Sequence, residues 1–315
     1  MRAHKNEFHW LQVLNPYAYL VSVTPTGIYV PIVTPFDGQG QINVEELRSL
    51  LTSMIESGVS GFVAAGTTGE GYALSFDERR LILTTIVDCV DGVVPVFCGV
   101  GGMSTHEAVD QALLAKRSGI TGLMLAAPAY CLPTESELAT HVTNVVNSVE
   151  LPTVLYDYPD RTGVSFTRAV LEKVAGNELV VGIKEASGDL TRITWLGEDF
   201  SDQLAIVCGT DLGSPAFLDA GVTCWIGGMA NLLPAAHVAM LDANQREMVF
   251  AAISPILRFI ELGDYNAKVK AGMNVLGAHV GAPRAPLESF EKNVSGLAEL
   301  TLLLADAGKW APRFT

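Results

Sequence analysis

The sequence lacks the features that mark membrane-spanning, metal-binding and disulfide-stabilised proteins. No apolar run reaches the roughly 18 residues that a membrane helix needs. The chain has no CxxC, HExxH or aspartate-rich calcium loop, and its six histidines do not cluster, so we predict no metal site. Its five cysteines are odd in number and widely spaced, which indicates reduced thiols in a cytoplasmic protein.

Basic residues are also scarce. The chain has 20 lysines and arginines against 34 aspartates and glutamates, a net charge of -14. Because the carboxylates are scattered and form no acidic tail, the charge argues against unaided binding to nucleic acid. With 315 residues, 49% of them hydrophobic, the chain can bury a large core. We therefore predict an enzyme-like protein whose partners are small molecules, not nucleic acid or membrane.

Residues 1–24 differ from the rest of the chain. They begin with basic residues, but Glu7 and Pro16 interrupt their apolar part and no small-residue cleavage site follows. A secretory signal is therefore a poor interpretation. We predict an N-terminal extension, for which an interface segment, a weak targeting sequence and an over-assigned start remain open.

From residue 27 onward, short β-rich runs alternate with longer helical patterns, which is typical of a parallel sheet. Eight runs occur, at residues 28–34, 61–65, 94–98, 122–126, 153–156, 180–184, 204–208 and 224–227. Eight strand and helix units predict a closed (β/α)8 TIM barrel. The alternative is a doubly wound open sheet, but the glycine-rich segment 66–71 matches neither phosphate-binding pattern expected there.

Three further helical patterns follow the eighth run, at residues 246–262, 268–276 and 289–307. They exceed what one closing helix needs, so they predict C-terminal helices packed on the barrel. We thus predict an N-terminal extension (1–24), a barrel catalytic domain (25–231) and C-terminal helices (232–315).

Lys184 is the most informative residue of the chain. It follows the apolar run 179–183, so its amino group is expected to be buried. Desolvation favours the neutral amine of a lysine, and that amine is the nucleophile that Schiff-base chemistry on a ketone requires. The alternative is a structural lysine whose stem crosses the strand end while its head reaches water.

Other polar residues follow the predicted strands at their carboxyl ends, which form the catalytic face of such barrels. Thr67 and Thr68 offer hydroxyl and amide groups to a carboxylate, or else cap the next helix. Tyr156 ends the strand before that of Lys184, so its phenol is expected near the substrate of the lysine. Arg161 lies on the adjoining loop and suits a second carboxylate.

Three segments resemble the signatures of a known superfamily: GTTGE at residues 66–70, YDYPDRTG at 156–163 and GIKEASGD at 182–189. They are similar to those of the dihydrodipicolinate synthase and N-acetylneuraminate lyase superfamily, most closely to dihydrodipicolinate synthase. The resemblance covers residues 27–315. It implies a TIM barrel, a homotetramer made of two dimers, and class I aldolase chemistry on pyruvate with a covalent lysine Schiff base and no other cofactor.

The resemblance also implies a set of site residues. The expected catalytic residues are Lys184, Tyr156, Thr67 and Tyr130, and the expected substrate-binding residues are Thr68, Arg161, Gly209 and Ile226. Lys184 would form the Schiff base, Tyr156 would move protons, and Thr67 would link Tyr156 to a Tyr130 contributed by the neighbouring subunit. Thr68 and the backbone at Gly209 and Ile226 would bind pyruvate, and Arg161 would bind the carboxylate of aspartate semialdehyde.

The sequence departs from the lysine-inhibited synthases around the expected inhibitor pocket. Those enzymes have a pair of tyrosines followed by an asparagine at this place, whereas this chain has Ala129, Tyr130 and Cys131. Of the inhibitor-pocket positions, three are replaced by Met103, Phe76 and Arg79, and one is retained as Glu107. We therefore expect no feedback inhibition by lysine. The glycine pair at 227–228 is expected to widen the substrate pocket.

Three functions remain open at this point. The first is a synthase that condenses pyruvate with an aldehyde such as aspartate semialdehyde. The second is a catabolic aldolase or dehydratase of 2-keto-3-deoxy sugar acids or related 2-oxo acids. The third is an inactive paralogue that binds a 2-oxo acid as a sensor or assembly partner.

Overall fold

Eight parallel strands form a closed barrel in this computed structural model, which describes residues 24–310. The strands are β1 Gly27–Pro31, β2 Gly61–Ala64, β3 Val96–Val100, β4 Gly122–Ala126, β5 Thr153–Asp157, β6 Val180–Glu185, β7 Ala205–Cys208 and β8 Cys224–Ile226. Each strand pairs with its neighbours along the chain, and β8 closes the barrel on β1 through the pair Gly27 and Cys224. The predicted TIM barrel is confirmed and the open sheet is excluded.

The strand boundaries differ slightly from the prediction. The third strand begins at Val96, two residues later than expected. Pro95 precedes it, and a proline has no amide hydrogen to give to a sheet. Proline therefore limits this strand more strongly than its apolar pattern indicates.

Helices surround the strands and continue beyond them. They are α1 Val44–Glu56, α2 Phe76–Val90, α3 Thr105–Arg117, α4 Glu135–Val149, α5 Pro159–Thr162, α6 Arg168–Val174, α7 Thr191–Phe200, α8 Ser214–Asp219, α9 Pro234–Met240, α10 Ala243–Glu261, α11 Tyr265–Val275 and α12 Val294–Asp306. Several begin at side-chain caps. Ser75 and Glu78 form a capping box before α2, and Thr134 and Glu137 form another before α4.

Two apolar clusters make up the core. The smaller one fills the barrel interior with side chains from alternate strand positions, including Tyr29, Phe97 and Ile226. The larger one lies between the strands and the surrounding helices. Because successive side chains of a strand point to opposite faces, each barrel strand contributes to both clusters. The same alternation decides which residues reach the barrel mouth.

The predicted C-terminal helices are present as α9 to α12. Helix α11 is the most buried of them, and it contacts α10, α12 and the short 3-10 helix Gly228–Asn231 that follows β8. Lys268 and Lys270 of α11 are buried, although its sequence pattern alone indicates a polar helix face. The predicted boundary at residue 231 coincides with the end of that 3-10 helix. The division into domains stays a prediction.

Three further expectations can be compared with the fold. The predicted N-terminal extension comprises residues 1–24. All of it except Thr24 lies outside the described residues. In the part of the chain that the structure describes, no helix is both long and apolar enough to cross a membrane. Cys98, Cys208 and Cys224 are buried as expected, whereas Cys131 is exposed on the loop after β4.

Candidate active site

Lys184 points into the barrel near the carboxyl end of β6. Its side chain is 5% exposed, and its Nζ lies 4.2 Å from the centre of the Tyr156 ring. The register of β5 and β6 pairs Lys184 with Tyr156, so the two side chains share the inner face. Burial lowers the pKa of Lys184 to about 8, although the nearby Asp211 carboxylate opposes this shift. The amino group does not reach bulk water, so the alternative of a structural lysine with a solvated head is wrong.

An ion cluster outside the barrel holds the strand ends that carry these two residues. Asp157 and Glu185 directly follow Tyr156 and Lys184, so they point outward. Arg192 of α7 donates through Nε to Glu185 and through Nη2 to Asp157, each at 2.5 Å. All three charged groups are buried. Charge-assisted bonds of this length fix the inward direction of the two neighbouring side chains.

Tyr156 is a buried phenol beside Thr67. It is 8% exposed, and the Thr67 side chain lies near enough to its hydroxyl to favour the phenolate form. Burial raises the pKa of Tyr156 to about 12, against the opposing effects of Thr67 and Arg161. The phenol is therefore protonated at neutral pH and can give or relay a proton to a group beside Lys184.

The C-terminal helix α11 contacts the segment after β2 that carries Thr67 and Thr68. Asn266 donates to the Thr67 carbonyl at 2.9 Å, and Lys270 forms a buried ion pair with Glu70 at 2.5 Å. Thr34 donates to the Gly69 carbonyl at 2.6 Å. These contacts place Thr67 beside Tyr156 and leave Thr68, 9% exposed, close to Gly228.

Gly209 and Ile226 lie at the ends of the two strands that follow Lys184. The Gly209 amide donates to the Glu185 carbonyl at 2.9 Å, and an added Cβ would lie 2.5 Å from that same oxygen. Only glycine permits this approach of backbone to backbone. Ile226 is fully buried in the barrel interior.

Arg161 lies on α5, the short helix after β5, and is exposed. It lines a cavity of about 670 Å³ together with Thr67 and Tyr156. It also lines a second cavity of about 350 Å³ with Tyr265 and Asn266. The guanidinium is therefore available to an anionic group that enters the barrel mouth.

Tyr130 stands apart from the other predicted residues. Its side chain is 90% exposed, and its backbone has a φ of 72°, which is uncommon for a residue with a bulky side chain. Within one chain the structure therefore places seven of the eight predicted residues at or near the carboxyl ends of the strands, while the Tyr130 side chain projects into solvent.

The four positions of the expected inhibitor pocket line the larger cavity. Met103, Phe76, Arg79 and Glu107 all border it. Arg79 is buried and donates to the Gly99 and Gly71 carbonyls at 2.8 and 3.1 Å. A guanidinium thus occupies part of this wall, while the loss of feedback inhibition by lysine stays a prediction.

Two residues of the site escaped the sequence analysis. Asp211 is 4% exposed and accepts a hydrogen bond of 2.8 Å from the Tyr265 hydroxyl. Asp211 lies two residues after Gly209, just past the end of β7. A carboxylate at that place in the sequence could have been recognised as a candidate site residue. Tyr265 lies 54 residues further along the chain and offers no local signal.

The expected widening of the pocket by the glycine pair is wrong. A Cβ added at Gly228 would lie 2.3 Å from the Tyr265 hydroxyl, and one at Gly227 would lie 2.4 Å from Asp211 Oδ1. The glycines thus make room for a phenol and a carboxylate from elsewhere in the fold. This part of the site is more polar than its own turn sequence indicates.

Fold and site together define a class of protein: a (β/α)8-barrel enzyme with a buried lysine as its candidate nucleophile. The chain matches the dihydrodipicolinate synthetase family over residues 24–302. It is 34% identical over 284 residues to a 4-hydroxy-tetrahydrodipicolinate synthase of Syntrophotalea carbinolica, covering 87% of this chain and 96% of that protein. It is 32% identical over 275 residues to the synthase of Methanoculleus marisnigri, covering 84% and 94%.

Solved structures agree with this assignment. The chloride-inhibited dihydrodipicolinate synthase of Acinetobacter baumannii, complexed with pyruvate, superimposes with a TM-score of 0.85 at 29% identity, over 90% of this chain and 99% of that one. The 4-hydroxy-tetrahydrodipicolinate synthase of Methylacidiphilum fumariolicum gives 0.84 at 28% identity, over 91% and 99%. The chain belongs to the dihydrodipicolinate synthetase family and is an enzyme of its synthase and lyase type.

Proposed function

We propose that the chain is a pyruvate-dependent class I lyase of the dihydrodipicolinate synthase type. The observation that carries this proposal is the buried amino group of Lys184, 4.2 Å from the Tyr156 ring at the catalytic end of the barrel. Relatives at 32–34% identity are named 4-hydroxy-tetrahydrodipicolinate synthases, and a similar solved structure contains pyruvate. These likenesses support pyruvate as the first substrate.

The proposed chemistry begins with the Lys184 amine. It attacks the C2 carbonyl carbon of pyruvate, and proton transfers then release the carbonyl oxygen as water and leave a protonated iminium. Loss of a C3 proton moves the C–H electron pair toward the iminium nitrogen and forms an enamine. The enamine carbon attacks an aldehyde carbon, and the aldehyde oxygen takes up a proton. Lysine is the only covalent group that the reaction needs.

Neighbouring residues would assist these steps. Tyr156 is protonated and lies beside Thr67, which suits it to relay protons between water, the C3 carbon and the aldehyde oxygen. Thr68 and the backbone at Gly209 and Ile226 would hold the pyruvate carboxylate. Arg161, exposed at the cavity edge, would bind the carboxylate of an aldehyde such as aspartate semialdehyde.

A second candidate is a catabolic aldolase or dehydratase of 2-keto-3-deoxy sugar acids. The Tyr265 hydroxyl and the Asp211 carboxylate next to the glycine pair favour it, because such groups can bind the hydroxyls of a sugar chain. The proposed first half-reaction, the Lys184 Schiff base, is shared by both candidates.

The first experiment is trapping with borohydride. Purified protein is incubated with pyruvate, reduced, and analysed by intact mass and peptide mapping. An adduct on Lys184 is the expected result. Absence of any adduct with pyruvate and with sugar-derived 2-oxo acids would overturn the proposal and favour the inactive paralogue.

Arg161→Ala and Arg161→Lys then separate the two candidates. If aspartate semialdehyde is the aldehyde, Arg161→Ala should lower kcat/KM for it by about 100-fold, the loss expected for a charge-assisted, bidentate contact. Arg161→Lys should recover part of this loss. Retro-aldol cleavage of a 2-keto-3-deoxy sugar acid that is insensitive to both changes would favour the second candidate.

We also propose that the active unit is a homotetramer, a dimer of dimers, in which Tyr130 acts in the neighbouring site. Its 90% exposure and its φ of 72° fit a side chain that is presented outward. Inactive Tyr130→Ala and Lys184→Met proteins, dissociated and reassembled together, should regain activity, because a mixed dimer contains one site with both residues. No recovery would show that Tyr130 acts within its own chain or not at all.

A cytoplasmic location and independence from metals complete the proposal. All five cysteines are free thiols, as expected in a reducing compartment. Among residues 24–310, no group of three or more histidine, cysteine, aspartate or glutamate side chains is arranged to hold a metal ion. Activity after dialysis against a chelator tests the second point.

A further inference from the structure

A second cavity of about 350 Å³ lies against the beginning of α11. Tyr72 and Arg161 line both this cavity and the larger one, so these two residues form a boundary between them. The larger cavity is also lined by Tyr156 of the candidate catalytic pair. A substrate that reacts beside Tyr156 can therefore extend across the boundary into the second cavity.

The boundary presents hydrogen-bond donors. The Tyr72 hydroxyl accepts a hydrogen bond from Asn266 Nδ2 at 3.3 Å, and among residues 24–310 no acceptor takes the proton of that hydroxyl. The Arg161 guanidinium is exposed and lies 5.5 Å from the centre of the Tyr158 ring. A phenol proton and a guanidinium at one place suit a carboxylate, which is the group that the proposed function assigns to Arg161.

Two sheltered side chains of the second cavity present acceptors instead. Tyr265 donates its hydroxyl proton to Asp211 Oδ2 at 2.8 Å, so the phenol oxygen offers only lone pairs to other groups. Asn266 is 6% exposed, and its amide nitrogen donates to the Thr67 carbonyl and the Tyr72 hydroxyl. Its Oδ1 accepts no hydrogen bond from the described residues. A nearly buried acceptor without a donor is costly, so this part of the wall favours a ligand that donates hydrogen bonds.

Two carboxylates add negative charge to the same wall. Asp264 precedes α11 and Glu288 lies on the segment before α12, and both side chains are exposed. Glu288 also forms a surface ion pair with Lys292 at 3.1 Å, and exposed charges contribute little individually. The second cavity thus combines two sheltered acceptors with negative charge, which is the environment that an ammonium group requires.

We propose that the second cavity binds the ammonium group of an α-amino acid aldehyde whose carboxylate lies on Arg161 and Tyr72. In an α-amino acid the carboxylate and the ammonium are attached to one carbon, so they need donors and acceptors side by side, as at this boundary. The inference rests on the proposed function and narrows its aldehyde to this class. Tyr265 and Asn266 are then specificity-determining residues, because they distinguish an ammonium from a hydrogen atom or a hydroxyl.

Three probes that differ at one group test this inference. L-Homoserine keeps the ammonium and the carboxylate but has an alcohol in place of the aldehyde, so it cannot condense with an enamine. 4-Hydroxybutyrate has a hydrogen atom in place of the ammonium, and 2,4-dihydroxybutyrate has a hydroxyl there. Each probe is titrated into the full-length protein by calorimetry, with and without pyruvate. L-Homoserine should bind at least about 10-fold more tightly than either analogue, the gain expected for hydrogen bonds to a charged group.

Variants locate the source of this preference. Tyr265→Phe keeps the ring and removes the phenol oxygen, so it should lower the advantage of L-homoserine at least about 3-fold and leave the affinity for 4-hydroxybutyrate unchanged. Asp264→Asn combined with Glu288→Gln should lower the advantage by about 2- to 3-fold, as expected for exposed charges, and should leave the fold intact. Arg161→Ala should weaken the binding of all three probes. Glu299→Gln is the matched control, since it makes the same change on an exposed residue of α12 outside the lining of both cavities; it should leave the advantage unchanged.

Three results would overturn the inference. The first is equal affinity for L-homoserine and 4-hydroxybutyrate, or no measurable binding of L-homoserine in either condition. The second is an advantage of L-homoserine that survives both Tyr265→Phe and the double substitution of the carboxylates. The third is binding of 2,4-dihydroxybutyrate as tight as that of L-homoserine, which would favour the sugar acid candidate.

Trapping of pyruvate on Lys184 separates this inference from the proposed function. A preference for L-homoserine that depends on Tyr265, without any pyruvate adduct, would support the amino acid site and reject the lyase. An adduct together with equal affinities for the three probes would support the lyase and reject the site.

Discussion

Two buried lysines, in different parts of the molecule, invite comparison. Lys184 lies at the barrel mouth and Lys270 lies in the C-terminal helix α11; their exposures are 5% and 1%. Burial lowers the pKa of each to about 8. Lys270, however, forms an ion pair with Glu70 at 2.5 Å and lies 4.1 Å from the centre of the Phe36 ring. Lys184 faces Tyr156, and no carboxylate within residues 24–310 forms an ion pair with it.

Both lysines are buried to a similar degree, so burial by itself does not distinguish Lys184 as the candidate nucleophile. At Lys270 the amino group is engaged by Glu70 and lies 3.3 Å from the Ala282 carbonyl, so its protons hold the C-terminal helix on the segment after β2. At Lys184 the same desolvation occurs beside the Tyr156 phenol, which lines the larger cavity. Reactivity needs an amine that is dehydrated and also left free of direct ion pairs.

Replacing each lysine by methionine should affect activity at Lys184 and stability at Lys270. The loss of activity in Lys184→Met is the largest effect that we expect. Lys184→Met should abolish the pyruvate adduct and reduce turnover by at least about 10³-fold, because no other group replaces the nucleophile. The protein should keep its fold, since the change removes a buried amine that forms no ion pair with any described residue. Steady-state kinetics and thermal melting check both points; residual turnover close to wild type would make Lys184 a structural lysine.

Tyr156→Phe tests the proton donor that distinguishes the two environments. The change removes the hydroxyl but keeps the ring beside Lys184, so the adduct should still form. Turnover should fall by about 10²–10⁴-fold, the usual contribution of general acid and base catalysis. Single-turnover kinetics measure the two steps separately. Equal loss of adduct formation and turnover would mean that the hydroxyl is already needed to form the Schiff base, and not only for the later proton transfers.

Lys270→Met should chiefly affect stability. Glu70 is fully buried, so removal of its partner leaves a buried charge, and the free energy of unfolding should fall by roughly 3–5 kcal/mol. Adding Glu70→Gln should restore a substantial part of this loss, because the orphaned charge disappears. Urea denaturation of both variants gives the values. If the variant with both Lys270→Met and Glu70→Gln is no more stable than Lys270→Met, the buried charge of Glu70 is not the cause of the loss.

The pH dependence should give a smaller effect that again separates the lysines. Adduct formation should increase as pH rises through about 8, where Lys184 loses its proton. Between pH values of about 8 and 10.5, Lys184 binds more protons in the unfolded chain than in the folded chain. The free energy of unfolding should therefore rise with pH in this range. Lys270 contributes to the same rise, because its pKa is also lowered to about 8, so Lys184→Met should make the rise less steep without abolishing it when unfolding is measured by urea at several pH values. An unchanged slope would contradict the low pKa of Lys184.

The two lysines also show how far local sequence reasoning extends. Lys184 could be selected because it follows an apolar run, and the eight strands could be placed because apolar runs and turns alternate regularly. Lys270 could not be distinguished, since its helix shows an ordinary polar pattern. Its burial depends on Glu70, which lies 200 positions earlier in the chain, and no local periodicity encodes such a partner.

The sequence by itself determined the barrel, the inward position of Lys184 and Tyr156, and the family, because these depend on strand alternation and on short segments whose residues act together. Only the tertiary structure decided what surrounds them. Asp211 follows β7 and Tyr265 begins α11, 54 residues further along the chain, and these two residues fill the space beside Gly227 and Gly228. Electrostatic effects depend on distance in space and on burial, and both arise only when the chain has folded.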